Sequence, residues 1–204
     1  NYPFSGISIS NVGAINSPIP NSPIYPSIEI GRNPLPGTLN DSYNVFDNLD
    51  YGIYAIRSSV IVKNSTFQFT RSLPYSPDPN NGIGIGVFCF NTGAASTGQC
   101  KMQVVGTLDA FGAPLVPNRF YGLRYGIRSS NYGRTEFSNN EIRSKRSNSL
   151  LTSPIGLHGA HISVSNQYKA VIADNNRMHN IANGITIIEN IAAGSPSISA
   201  SGNW

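Results

Sequence analysis

Apolar residues in this chain recur in short alternating runs, not at helical spacing. Ile7-Ser-Ile9-Ser, Ile162-Ser-Val164-Ser and Ile198-Ser-Ala200-Ser alternate strictly. Such alternation puts the apolar side chains on one face of a strand. Ile53 to Val62 and Ile185 to Ile188 are rich in β-branched and aromatic residues, which fit a half-buried pleated surface. Clusters of Ser, Asn, Gly and Pro separate the runs and read as turns and loops. No window carries a capped amphipathic helix, so the pattern predicts an all-β chain.

One phrase ties the runs together. Asn44-Val-Phe46-Asp-Asn-Leu49-Asp-Tyr-Gly52-Ile53 aligns without gaps on Asn118-Arg-Phe120-Tyr-Gly-Leu123-Arg-Tyr-Gly126-Ile127 and on Asn176-Arg-Met178-His-Asn-Ile181-Ala-Asn-Gly184-Ile185. Weaker copies start at Asn64, leading past an insertion to Gly82-Ile83, and at Asn140, leading to Gly156-Leu157. Ser5-Gly6-Ile7 reads as the tail of an earlier copy and Gly202-Asn203-Trp204 as the head of a later one. Six intervals between Asn44 and Asn203 average about 26 residues, with one rung near residues 90–100 lacking a clear Asn. That period belongs to stacked repeats, and a blade of a β-propeller is longer. In a stacked coil, Phe46 and Leu49 point inward. Gly52 then allows a bend closed to residues with a Cβ, and Ile53 returns to the core. The repeated Asn suits a left-handed turn and can bond to its copies along the stack.

On these motifs the chain resembles the right-handed parallel β-helix proteins of the pectin-lyase-like superfamily. It is similar in particular to repeat-rich secreted and surface proteins of Bacteroidetes. The resemblance covers residues 44–204. Residues 1–43 are Pro-rich and less regular. It implies one all-β domain over 1–204, a right-handed solenoid of about six to seven coils of roughly 20–36 residues. The handedness also follows the rule for parallel crossovers. The expected setting is extracellular or at the cell surface, as part of a longer protein.

Composition agrees with that setting. Only 12% of residues are charged and the net charge is +4. The basic residues are scattered, so nucleic acid is not an expected partner. No apolar run approaches the length of a membrane span. Cys89 and Cys100 flank a loop-like segment, and a disulfide between them is expected. No Cys/His spacing suits structural zinc, and no metal or other cofactor is implied.

The chemistry-bearing residues are sparse. The ten carboxylates do not form the paired arrangement glycoside hydrolysis needs. His158 and His161 do not reproduce a Gly-His-Gly motif, and no Gly-x-Ser-x-Gly is present. Arg119 and Arg177 share one repeat position, Tyr121 and His179 share another with Asp47, and Arg124 shares a third with Asp50 and Ala182. With Tyr125, which like Tyr51 precedes the repeated Gly, Arg119, Tyr121, Arg124, Arg177 and His179 are the candidate glycan-binding residues. Insertions at 71–81, 91–99, 106–117 and 143–154 are candidate loops over such a surface. These residues favour a non-catalytic scaffold, adhesive or filament-forming segment, with further copies or flanking domains stacked end to end. The alternatives are a polysaccharide lyase, or a non-catalytic relative that binds glycan, and a viral tailspike.

Overall fold

The computed structural model describes residues 5–10, 27–31, 44–68, 84–90, 101–108, 111, 114–130, 134–143, 158–165, 170–179, 181, 183–190 and 197–203. Numbered in chain order, the first sheet contains β1 (Ser5–Ser10), β4 (Tyr51–Ile56), β7 (Ile85–Phe90), β12 (Tyr125–Ser130), β15 (His158–Ser165) and β18 (Asn183–Asn190). The second contains β2 (Ile28–Ile30), β5 (Val60–Val62), β8 (Lys101–Val105), β13 (Arg134–Ser138), β16 (Ala170–Ile172) and β19 (Ser197–Ser199). The third contains β3 (Asn44–Asp47), β6 (Ser65–Gln68), β11 (Arg119–Tyr121), β14 (Glu141–Arg143) and β17 (Arg177–His179). All neighbours within the three sheets pair in parallel. The chain visits first, second and third sheet in rotation and then repeats. One exception is an antiparallel hairpin, β9 (Thr107–Leu108) with β10 (Pro114–Val116), set between the second and third sheets. The described residues contain no helix.

The interior is built from rows of side chains that stack from strand to strand. Phe46, Phe67 and Phe120 form one row, their rings parallel with centroids 4.7 and 5.0 Å apart. Those distances match the spacing of paired strands. Ile142 and Met178 continue that row by register. Ile53, Val87 and Ile127 form a second row, and Val62, Val104 and Phe137 a third; all six are fully buried. Ser129 and Thr135 bring polar groups inside, but their hydroxyls bond to each other at 3.0 Å. Leu123 is buried, while Leu49, Ile181 and Ile185 are half-buried against the same core. Cys89 is fully buried in the core; its expected disulfide partner, Cys100, lies outside the described residues.

A ladder of Asn side chains marks the corner between the second and third sheets. Asn118 donates from Nδ2 to Asn140 Oδ1 at 2.9 Å, Asn140 to Asn176 Oδ1 at 3.1 Å, and Asn176 to Asn203 Oδ1 at 2.9 Å. Each Nδ2 also donates to a main-chain carbonyl: Asn118 to Val62, Asn140 to Val104, Asn176 to Phe137 and Asn203 to Ala173. In return, Oδ1 accepts the backbone N–H of the preceding rung at Ser65, Asn140 and Asn176. Asn118, Asn140 and Asn176 are buried, so satisfying their amides is a condition of the fold.

Four details differ from the sequence expectations. The repeated Asn does not serve both as turn and as ladder. The left-handed residue is the one before the rung: Asn64, Asn139, Asn175 and Gly202 have φ of 45°, 57°, 56° and 65°. The rung opposite Asn44 is accordingly Ser65, not Asn64. Second, Gly52 and Gly86 lie in strands without positive φ. They are there for space, since a Cβ on Gly52 would lie 2.4 Å from the Phe67 ring, and one on Gly86 would lie 2.7 Å from the Phe120 ring. Third, the weak copies are offset. Val87, not Ile83, pairs with Ile53, and Ala160, not Leu157, corresponds to Ile127. Residues 82–87 read Gly-Ile-Gly-Ile-Gly-Val, so the phrase fits two registers, and Gly86 is the glycine that faces the Phe120 ring. Fourth, no rung is missing near residues 90–100. β6 pairs directly with β11, and the extra length lies in insertions, one of which is the β9–β10 hairpin.

Candidate functional site

The outer face of the third sheet carries two rows that are polar apart from the exposed Val45. Register places Val45, Thr66, Arg119, Glu141 and Arg177 in one row, and Asp47, Gln68, Tyr121, Arg143 and His179 in the next. The candidates Arg119 and Arg177 thus share a row but do not adjoin. Glu141 stands between them, its carboxylate 3.7 Å from Arg119 Nε and 3.2 Å from Arg143 Nη2. Likewise, Arg143 separates Tyr121 from His179. Both guanidinium groups are therefore partly neutralised at the surface, where such pairs add little stability.

A denser cluster lies on the outer face of the first sheet. Tyr51 packs edge-on against Tyr54 with centroids 5.1 Å apart, and Phe88 lies 5.6 Å from Tyr51, 5.5 Å from Tyr54 and 6.2 Å from Phe90. The Arg128 guanidinium sits over both Phe88 and Tyr125, at 5.4 and 5.6 Å, and Arg124 lies 5.3 Å from the Tyr125 ring centre. Guanidinium groups at such distances are drawn to the negative ring face. Ile85 completes the cluster with Tyr51 and Tyr125.

Tyr51 and Tyr125, which precede the repeated glycines, cover the sheet and offer no open ring face. They are only 9% and 7% exposed. The half-buried Tyr54, Phe88, Phe90, Arg124 and Arg128 are the accessible members. Burial pushes the Tyr51 phenol above its usual range, with Tyr54 and Asp50 adding to the rise and Arg128 opposing it. The neutral phenol is thereby favoured. No family model, curated protein or solved structure matches the chain. The site therefore has to be judged on its own geometry.

That geometry can stack and attract. Among the described residues no group of three His, Cys, Asp or Glu is placed to hold a metal ion. His158 and His161 continue the rows of Tyr125 and Arg128 through backbone pairing, but their side chains lie outside the described residues, as do Ala182 and the insertions 71–81 and 91–99. No helix among the described residues is long and apolar enough to cross a membrane. The sequence reading missed Phe88 and Arg128, because neither falls inside the repeated phrase. Their signal was present as strand alternation: Tyr54, Phe88 and Arg128 occupy one outward register position.

Proposed function

We propose that the three parallel sheets are the faces of a right-handed parallel β-helix of the pectin-lyase-like kind, and that the chain is a non-catalytic scaffold segment of a secreted or cell-surface bacterial protein. The observation that carries this reading is where the chain keeps its regularity. The Asn rungs, inward rings and close-packed glycines repeat from strand to strand. The outward rows of the third sheet change chemistry at every step, from Val45 and Thr66 to Arg119 and Glu141. A chain that keeps its inward and corner residues constant and varies its outward ones is built as a scaffold more than as a reaction centre. Further copies or flanking domains stacked on the strand edges extend the rod. Incubation with a panel of uronate polymers, followed by absorbance of unsaturated products, tests the absence of catalysis. Product formation that is lost on heat denaturation would overturn it.

A second reading, a non-catalytic glycan binder, is favoured by the aromatic and arginine cluster on the first sheet. Tyr54 and Phe88 offer apolar ring surface to a sugar face, and Arg128 offers a cation to a carboxylate. Calorimetric titration with oligouronates tests it. Binding that weakens at least tenfold in Arg128→Ala supports this reading, and no heat from the wild-type chain sinks it.

A further inference from the structure

The ladder is not uniform, and its one weak rung has a consequence for how the fold opens. From Asn118 to Asn203 each rung is tied to the next by amide bonds of 2.9 to 3.1 Å. Ser65 replaces Asn at the rung nearest β3. Its hydroxyl is bonded to the Lys63 carbonyl, on its own side. Towards Asn44 it offers only a contact of 3.4 Å from Asn44 Nδ2, at the limit of a useful hydrogen bond. Asn44 itself is exposed. The bond in which a rung side chain accepts the backbone N–H of the preceding rung, present at Ser65, Asn140 and Asn176, has no counterpart at Asn44 or Asn118; Asn118 still has its 2.9 Å amide bond to Asn140, whereas Asn44 has only the 3.4 Å contact.

We propose that this join is an opening seam: β1, β2 and β3 detach together from β4, β5 and β6 while the ladder-bonded remainder stays folded. What holds the seam closed is limited. Among the described residues it comprises the strand pairing, the burial of Ile9, Ile30 and Phe46 with the Phe46–Phe67 stack, three further backbone bonds (Ile28 N–H to Ser59 O, Lys63 N–H to Ile30 O and Asn48 N–H to Gln68 O) and the Lys63–Glu29 ion pair at the surface. Proteins open in such contiguous units, and the least-bonded unit opens first. Opening uncovers the edges of β4, β5 and β6, a surface to which other strands pair.

Hydrogen exchange of the whole chain tests the seam, read at β2 and β19. These are three-residue edge strands of the same sheet, each paired in parallel with one neighbour. β2 amides should exchange faster than β19 amides at the same intrinsic rate. Ser65→Asn restores the missing rung and should slow β2 exchange roughly tenfold, the size of one to two net hydrogen bonds. Asn203→Ser imposes the weak rung at the other edge and should speed β19 exchange by a similar factor, leaving β2 unchanged. β2 amides that exchange no faster than β19 amides in the wild-type chain overturn the proposal, as does β2 exchange left unchanged by a folded Ser65→Asn; if Ser65→Asn does not fold, β19 exchange that does not respond to Asn203→Ser overturns the link between rung and opening on which it rests.

Discussion

Replacing Asn140 by Ala removes one interior rung and should cost far more than its small volume suggests. The Asn140 side chain donates to Val104 O at 2.9 Å and Asn176 Oδ1 at 3.1 Å, and accepts from Asn118 Nδ2 at 2.9 Å. Three hydrogen bonds are lost. The bond from the Asn140 backbone N–H to Asn176 Oδ1 survives, so Asn176 Oδ1 is not stranded, and Asn118 Nδ2 keeps its bond to Val62 O. At about 0.5–1.5 kcal/mol net for each lost bond, with a surcharge for buried groups left unpaired, the loss is about 2–5 kcal/mol. Asn140→Asp separates hydrogen bonding from packing. It keeps the shape, removes both donors and buries a charge beside Val104 O, so its loss at neutral pH should equal or exceed that of Ala. Urea unfolding followed by circular dichroism measures both. Asn139→Ala, one residue away, serves as the neighbour control. It disturbs only a left-handed turn, at a cost of about 1–2 kcal/mol. If Asn140→Ala and Asn140→Asp both fall within ~0.5 kcal/mol of wild type, the ladder does not hold the fold together and the reasoning fails.

Three further outcomes follow from the geometry. Gly86→Ala sets a Cβ 2.6 Å from the Gly126 carbonyl oxygen and 2.7 Å from the Phe120 ring, and should destabilise by roughly 1–3 kcal/mol in urea. Gly184→Ala, whose Cβ among the described residues would meet the flexible Met178 thioether, at 2.8 Å, should cost less than half of that. Because the Tyr51 phenol is raised from 10.0, its contribution is present in full below that value. The unfolded chain ionises first as pH climbs, so stability should fall above pH 10; Tyr51→Phe should flatten that limb in alkaline unfolding curves. The Asp174 carboxyl is lowered from 3.8, chiefly by the Ser201 backbone N–H and also by the Ser199 and Ser201 hydroxyls. Its small, solvent-screened contribution should be present above that value and lost as pH falls through the lowered one. Asp174→Asn should therefore reduce the acid sensitivity of the β19 region in proteolysis assays.

Strand content and parallel stacking were legible because short alternating runs and a repeated phrase both follow from burial. The inward row was legible for the same reason: Phe46, Phe120 and Met178 stand at one phrase position and stack in one column. The role of Gly52 was not, since a glycine kept for a positive φ and one kept for a neighbouring ring look alike in sequence. The left-handed positions Asn48 and Gly122, with φ of 54° and 68°, sat inside the aligned phrase unnoticed, because Asn and Gly share a backbone preference but no side-chain chemistry. One weak copy was hidden by the degenerate Gly-Ile run at 82–87, which the facing Phe120 ring resolves, and the other, at 156–160, is placed only by strand register. The outward direction of Phe88 and Arg128 was carried by strand alternation, but their meeting was not, because they come from strands of different repeats and only register joins them.

The β9–β10 hairpin leaves the main chain after Gly106 and rejoins it before Asn118, the next rung. The N–H of Gly106 bonds to Ser138 O, and Asn118 bonds onward to Asn140, so the ladder closes on both sides of the excursion. Height along the stack is thus set by amide contacts and not by the number of residues between them. A corner of this kind is a splice site. Whole segments can be grafted there, by evolution or by an engineer, without changing the pitch of what lies above and below.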